Sequence, residues 1–467
     1  LTANVATIVF VLTLSHTVFI LFNWRRTLAG EADRDAVNRA VRLTLPASWW
    51  SMVTTFLGFF SLLFVAAEPL RHLGVAGSVG TLCAFITAYL MFPPFVSAAR
   101  RPRTLSAGSE CFSRPLDELF NNRGTLLAGV LVLIAACLPG VLRVNTDPPM
   151  LAYFQPGGAV YDGLALLDRY GGSSVLKIVV SDSDERNLLS GPRFGRLRRL
   201  QERLEAHPAV GSAISVSLIL EEGRRRIPLS FLFPREWIVD ILEWPLFGSV
   251  ADQFITSDRK RALMLLRMRE EVQRSSRRQV VAELRRIVRA GGLVPEYVGG
   301  LYALQGKLAR LVAVSLFGGL VILIVSFAVM GLVLSRSLRI MTGMLAGLCC
   351  IPLWTLGIAG YGGIPMDVVA APSINIAVGM GVDAMIHLLM FVRREYGRSM
   401  AARQGWAQAI RCLWKPVVSS TVIVIAGFGI FSLSQFPPTR RFGWFVILSM
   451  LMSPLAALLI LPSAACC

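Results

Sequence analysis

The chain has 467 residues, 54% hydrophobic and only 16% charged, with a formal net charge of +18 and a mean hydropathy of +0.60. That balance excludes an ordinary water-soluble domain and places the chain with polytopic membrane proteins. The positive charge is spread through short loops between apolar runs, so nucleic acid is not read as a partner.

Nine apolar spans can be drawn, at 2–22, 46–66, 73–97, 124–142, 309–334, 340–360, 368–392, 416–434 and 443–462. Leu1 stands inside an apolar run with no Met before it, and the chain stops shortly after Pro462. A fragment of a longer protein is therefore expected. The exit of the first span meets Arg25, Arg26, Arg34, Arg39 and Arg42. The loop after the third span holds Arg100, Arg101, Arg103, Arg114 and Arg123, and the loop after the seventh holds Arg393, Arg394 and Arg398. One orientation puts all of these on the cytoplasmic side and the large hydrophilic region 143–306 outside.

Within that outer region, Ser174 to Ser181, Ala213 to Leu220 and a stretch inside Ser257 to Arg269 read as strands. Pro192 to Ala206 and Ser276 to Ala290 read as amphipathic helices with Arg-rich wet faces. A compact α+β sandwich is expected. Asp147 and Asp367 fall at outer membrane edges and read as solvated. The eight Cys offer neither a disulfide framework nor metal-ligand spacing. The glycines between Gly357 and Gly363 have no following Lys-Ser/Thr, so no nucleotide cradle is expected. Neither a cofactor nor a catalytic constellation can be drawn, and the chain is not read as an enzyme.

The seventh span carries the chemistry. Asn375, Gly379, Asp383 and His387 recur every four residues and so form one stripe along a helix. An ionisable group at membrane depth costs at least roughly 2.5–3.5 kcal/mol, and is tolerated mainly when it faces a bundle interior or a water path. Gly379 lets a neighbouring helix approach closely. Asp383 reads either as a proton carrier or as a polar anchor bonded across helices, and His387 either as a relay partner or as a satisfied core histidine.

An internal repeat organises the whole. Segment 58–93 matches 427–462 at a constant offset of 369, with Gly58-Phe59 on Gly427-Phe428, Pro69 on Pro438, Arg71 on Arg440, Gly74 on Gly443 and Pro93 on Pro462. With a one-residue slip, Arg25-Arg26 falls on Arg393-Arg394, and Ser15 falls on Asp383. Spans one to three thus copy spans seven to nine. Ser15, with His16 beside it and Asn4 on the same face as Ser15, should approach Asp383. Ser419, Ser420 and Thr421 on the eighth span can add hydroxyls.

The run Gly379-Met-Gly-Val-Asp383-Ala-Met-Ile-His387-Leu-Leu-Met-Phe-Val-Arg393-Arg-Glu395 resembles the fourth- or tenth-helix motif of the resistance-nodulation-division superfamily. Gly427-Phe428, Pro437-Pro438, Gly443 and Leu461-Pro462 resemble the segment that follows it there. The nearest branch by this likeness is the MMPL type, which includes hopanoid and other lipid exporters. The resemblance implies a polytopic α-helical fold covering the C-terminal two-thirds of a twelve-helix transporter. Residues 1–100 would be the last three helices of a first repeat, 101–123 a cytoplasmic linker and 124–142 the first helix of a second. Residues 143–306 would form a periplasmic porter-like α+β domain, and 307–467 the remaining five helices.

It further implies proton antiport at a bacterial inner membrane, with export or efflux of a lipid or other hydrophobic or amphiphilic substrate. Asp383 would be the proton-relay carboxylate, with His387, Ser15 and His16 as relay partners and Asn375, Gly379, Ser420 and Thr421 in support. A homo-oligomer or a periplasmic accessory protein would be compatible partners. Two departures weaken a symmetric relay. Ala384 takes the place of a frequent Tyr, and Ser15 that of a first-half Asp. The competing readings are a sterol-sensing-like lipid receptor and a protein-translocation accessory.

Overall fold

In the computed structural model, residues 5–27, 33–64, 68–98, 123–184, 186–226, 253–271, 275–396 and 403–466 are described. Asn4, the loop arginines Arg100, Arg101, Arg103, Arg114 and Arg398, and linker residues 101–122 lie outside them. The contacts divide the chain into two units, Leu1–Thr146 with Leu311–Cys467, and Asp147–Arg310.

The first unit is helical. It comprises α1 (Val5–Thr27), α2 (Asp33–Phe60), α3 (Glu68–Leu90), α4 (Phe92–Ala98) and α5 (Arg123–Leu142). Its later helices are α10 (Leu301–Ser335), which belongs to this unit from Leu311 onward, α11 (Leu338–Tyr361), α12 (Pro372–Tyr396), α13 (Arg403–Gly429), α14 (Pro437–Leu455) and α15 (Leu461–Cys466). Among the described residues, eight helical segments are long and apolar enough to cross a membrane, and Ala128–Leu142 of α5 is a shorter apolar helix. In the Pro372–Glu395 segment of α12, 89% of the most apolar window is buried, against 33–61% in the other seven. So α12 is the central helix, and a side chain on any of its faces meets protein.

The repeat is written into the packing. A Cβ on Gly74 would stand 3.0 Å from the Phe59 carbonyl oxygen, and one on Gly443 would stand 3.0 Å from that of Phe428. Phe59 and Phe428 are themselves repeat partners. The 3₁₀ turns Ser61–Phe64 and Ile430–Leu433, which end the second helix of each copy, also fall on one another. Both copies thus use a glycine on the third helix to let it close on the end of the second.

A second glycine seam holds α5 on α11. A Cβ on Gly360 would lie 1.8 Å from the Gly140 carbonyl oxygen, and one on Gly140 would lie 2.3 Å from that of Gly357. Gly360→Ala is therefore expected to part the two helices at a cost of roughly 1–3 kcal/mol. A thermal melt of the purified protein should show the loss, whereas Gly163→Ala, where nothing lies within 4 Å, should leave the melting temperature unchanged or slightly raised.

The second unit is an α+β layer. Strands β1 (Ser174–Ser181), β2 (Val210–Ile214), β3 (Arg261–Met268) and β4 (Val294–Gly299) form one sheet in the order β2-β3-β1-β4. All pairings are antiparallel, with Ile178 opposite Met264. Helices α6 (Ala159–Gly171), α7 (Gly191–Glu205), α8 (Val216–Arg226) and α9 (Arg277–Ala290) complete it. The chain order β1-α7-β2 and β3-α9-β4 is a split βαβ arrangement. Its core packs Leu176, Ile178 and Val180 of β1 with Leu197 and Leu200 of α7 and Leu284 and Val288 of α9. Ser276 and Gln279 form a reciprocal capping box at the start of α9.

Three expectations are corrected. The stretch 213–220 is not one strand, since β2 ends at Ile214 and α8 begins at Val216. The Ser215 hydroxyl accepts from the Ser217 amide at 3.2 Å and donates to Gln201 at 2.6 Å. That cap turns an alternating pattern into a helix start. Asp367 is not solvated: its carboxylate accepts from the amides of Val369 and Ala370 and pairs with Arg441 at 2.6 Å. Asp147 is likewise no free edge residue, because the fully buried Arg277 holds it. Both acids look solvated in sequence because their partners lie 74 and 130 residues away.

Candidate functional site

The position of Asp383 follows from the glycines beside it. Gly58 of α2 and Gly379 of α12 meet face to face, each placed so that a Cβ would lie 3.5–3.6 Å from the other's Cα. Side chains one turn further along α12 are thereby pressed onto α2. Asp383 is only 9% exposed. The Thr54 hydroxyl lies 3.5 Å from its Oδ1, and Ser51 and Thr55 of the same helix also address its carboxyl. All three hydroxyl residues are buried. The Thr54 hydroxyl donates to the Ser51 carbonyl at 2.6 Å, so its oxygen is left to accept from a protonated Asp383, while a hydroxyl not so engaged can serve the carboxyl with or without a proton.

A cavity of about 20 Å³ opens beside the carboxyl, lined by Asp383, Ser15, Phe19, Ser420, Thr421 and Ser453 among others. It has room for about one water molecule with polar partners on several sides. It lies where α1, α12, α13 and α14 meet, between the two repeat copies. Ser15 and Ser420 share a hydrogen bond of 2.6 Å across it. Under the repeat, Ser15 corresponds to Asp383 and Ser420 to Ser51. The Ser15–Ser420 bond is therefore the counterpart of the approach of Ser51 to Asp383, with a hydroxyl where the second copy has a carboxyl.

The remaining sequence candidates are placed around this centre. Thr421 lines the cavity, while its hydroxyl donates to the Val417 carbonyl of its own helix at 2.9 Å. His387, one turn along α12, lies outside the cavity lining. Its imidazole is stacked on Phe19 of α1 with ring centres 3.7 Å apart and planes 2° from parallel. Its Nε2 is buried without a hydrogen-bond partner among the described residues. Asn375 packs its amide nitrogen against Gly319 of α10, 2.4 Å from where a Cβ would be, and its Oδ1 is buried and unpartnered among the described residues. His16 turns away from the cavity and meets the edge of Phe85 on α3 at 5.8 Å. The structure thus gathers Asp383, Ser15, Ser420 and Thr421 and leaves His16 apart.

Sequence reasoning passed over Ser51, Thr54 and Thr55, although a signal exists. They recur at i, i+3 and i+4 on one face of the mostly apolar C-terminal half of α2. The pairs Ser15–Ser420 and Ser51–Asp383 invite a matched comparison. Ser420→Ala removes one interhelical hydrogen bond and should cost about 0.6 kcal/mol of stability. Ser51→Ala should cost a similar amount and, in addition, move the pH profile of any activity that needs Asp383. Melting curves and pH–activity profiles of the two variants separate the cases.

A family model for the MMPL family matches residues 171–466, which is more than half of the chain. The chain belongs to the MMPL family. No curated protein matches this MMPL chain at a significant level. Among solved structures, SecDF in its super-membrane-facing form is similar over 100% of this chain and 54% of its own, with a TM-score of 0.54 and 12% identity. The hedgehog release protein Disp from the water bear Hypsibius dujardini is similar over 99% of this chain and 63% of its own, with a TM-score of 0.65 and 14% identity. The chain spans between half and two thirds of those two proteins, and at such identities the likeness is one of fold.

Proposed function

We propose that the chain belongs to a proton-driven exporter of a lipid or another hydrophobic or amphiphilic molecule, with Asp383 as the group that carries the proton. The observation that carries this reading is a carboxyl buried between two repeat copies, ringed by hydroxyls and beside a water-sized cavity. Intramembrane carboxyls of this kind mark ion pathways, and sites at a repeat interface suit alternating access. A proton bound at Asp383 changes the charge at the seam between α12–α14 and α1–α3, and so changes which packing of the two copies is favoured. Helices α5 and α10, the connections into and out of the Asp147–Arg310 unit, carry that shift to it.

In this reading the chain lies in a bacterial inner membrane, with the Asp147–Arg310 unit in the periplasm taking up substrate. The test is substrate movement driven by an imposed pH gradient in vesicles holding the whole protein. Transport that ignores the gradient refutes the reading.

A further inference from the structure

Resting on the reading of Asp383 as proton carrier, we infer that Phe19 is the gate between Asp383 and the inner half of the proton path. One side chain is shared by two places. Phe19 lines the cavity into which Asp383 opens, and its ring covers the face of the His387 imidazole. No hydrogen bond joins Asp383 and His387 among the described residues, and His387 Nε2 is buried without a partner.

The offset that places Ser15 on Asp383 places Phe19 on His387. One copy has an acid and an imidazole one turn apart, and the other has a hydroxyl and a phenyl ring at the same seats. The phenyl ring of the inert copy is stacked on the imidazole of the active one. At these matched seats only the acid and the imidazole of α12 can carry a proton, and α1 sets its phenyl ring over the imidazole.

With the ring in place, water in the cavity reaches Asp383 but not His387. When α1 slides against α12, the ring leaves and a water can bridge the two groups. The O–H bond of the protonated carboxyl then breaks and an N–H bond forms on His387 Nε2, leaving carboxylate and imidazolium. The imidazolium releases its proton toward the inner side.

The experiment reads proton flux into dye-loaded vesicles containing the whole protein, under an imposed pH gradient and without substrate. Phe19→Ala is expected to raise the flux several-fold over the unsubstituted protein. Phe19→Leu, which keeps apolar bulk but removes the stacked ring, serves if the alanine variant does not fold and should also raise it. Phe19→Tyr should stay near the starting level. Both Phe19→Ala/Asp383→Asn and Phe19→Ala/His387→Phe should return to the starting level. Unchanged flux in a folded Phe19→Leu variant overturns the gate, as does raised flux that survives in the Asp383→Asn double variant. Substrate-driven turnover surviving in Asp383→Asn alone would instead sink the relay reading on which the gate rests.

Discussion

Replacing Asp383 by Asn is expected to stop gradient-driven export, with a loss of at least about 100-fold in rate, while the protein stays folded in the membrane. The amide has nearly the shape of the carboxyl and can still meet the hydroxyls of Ser51, Thr54 and Thr55, so packing is kept. What disappears is the single proton that the site can bind and release, and proton-transfer groups contribute about 10²–10⁴-fold to rate. Asp383→Glu keeps the proton but adds a methylene in a seam only about one water wide, and should retain a fraction of the activity. Export and expression measured together decide the matter. A folded Asp383→Asn protein that exports normally would show that the acid is a polar anchor only.

The second large effect is expected in the outer unit, at Arg277. Its guanidinium is fully buried and holds Asp147 and, at 2.9 Å, Glu270, which is itself fully buried. It also donates to the Pro148 carbonyl and stands 5.3 Å from the ring of Tyr302. Burial by itself would lower the affinity of Arg277 for its proton, but Glu270 and Asp147 more than reverse that and raise it. Arg277→Met leaves both acids without their counter-charge, and breaking a buried pair in this way costs about 3–5 kcal/mol. Hydrogen exchange should show protection lost across β1, β3 and α9. Adding Asp147→Asn and Glu270→Gln should recover much of it, because the groups act as one network. Equal losses in the single and triple variants would show that Arg277 acts through packing alone.

Arg277 also illustrates what was legible in the sequence. The period of Ser276 to Ala290 marks a helix, and its arginines look like a wet face, yet one of them, Arg277, is fully buried. No local pattern reveals this, because Asp147 lies 130 residues away. Asp367 misleads for the same reason. The α12 stripe was legible because acids are so costly in apolar spans that Asp383 needs an interior, and the repeat pointed to α1 as its neighbour. The hydroxyls on α2 were harder to see, since Ser and Thr are common in membrane helices and carry no charge to flag them. β2 and α8 divide at one serine whose capping role depends on Gln201, fourteen residues upstream.

The matching contacts of Gly74 with Phe59 and of Gly443 with Phe428 give this molecule a built-in reference. The same one-carbon insertion can be made at either seam, against the same kind of neighbour at the same 3.0 Å. Chemistry and crowding being equal, any inequality in outcome measures how much mechanical demand each half bears during a cycle, a quantity that single-copy architectures do not expose.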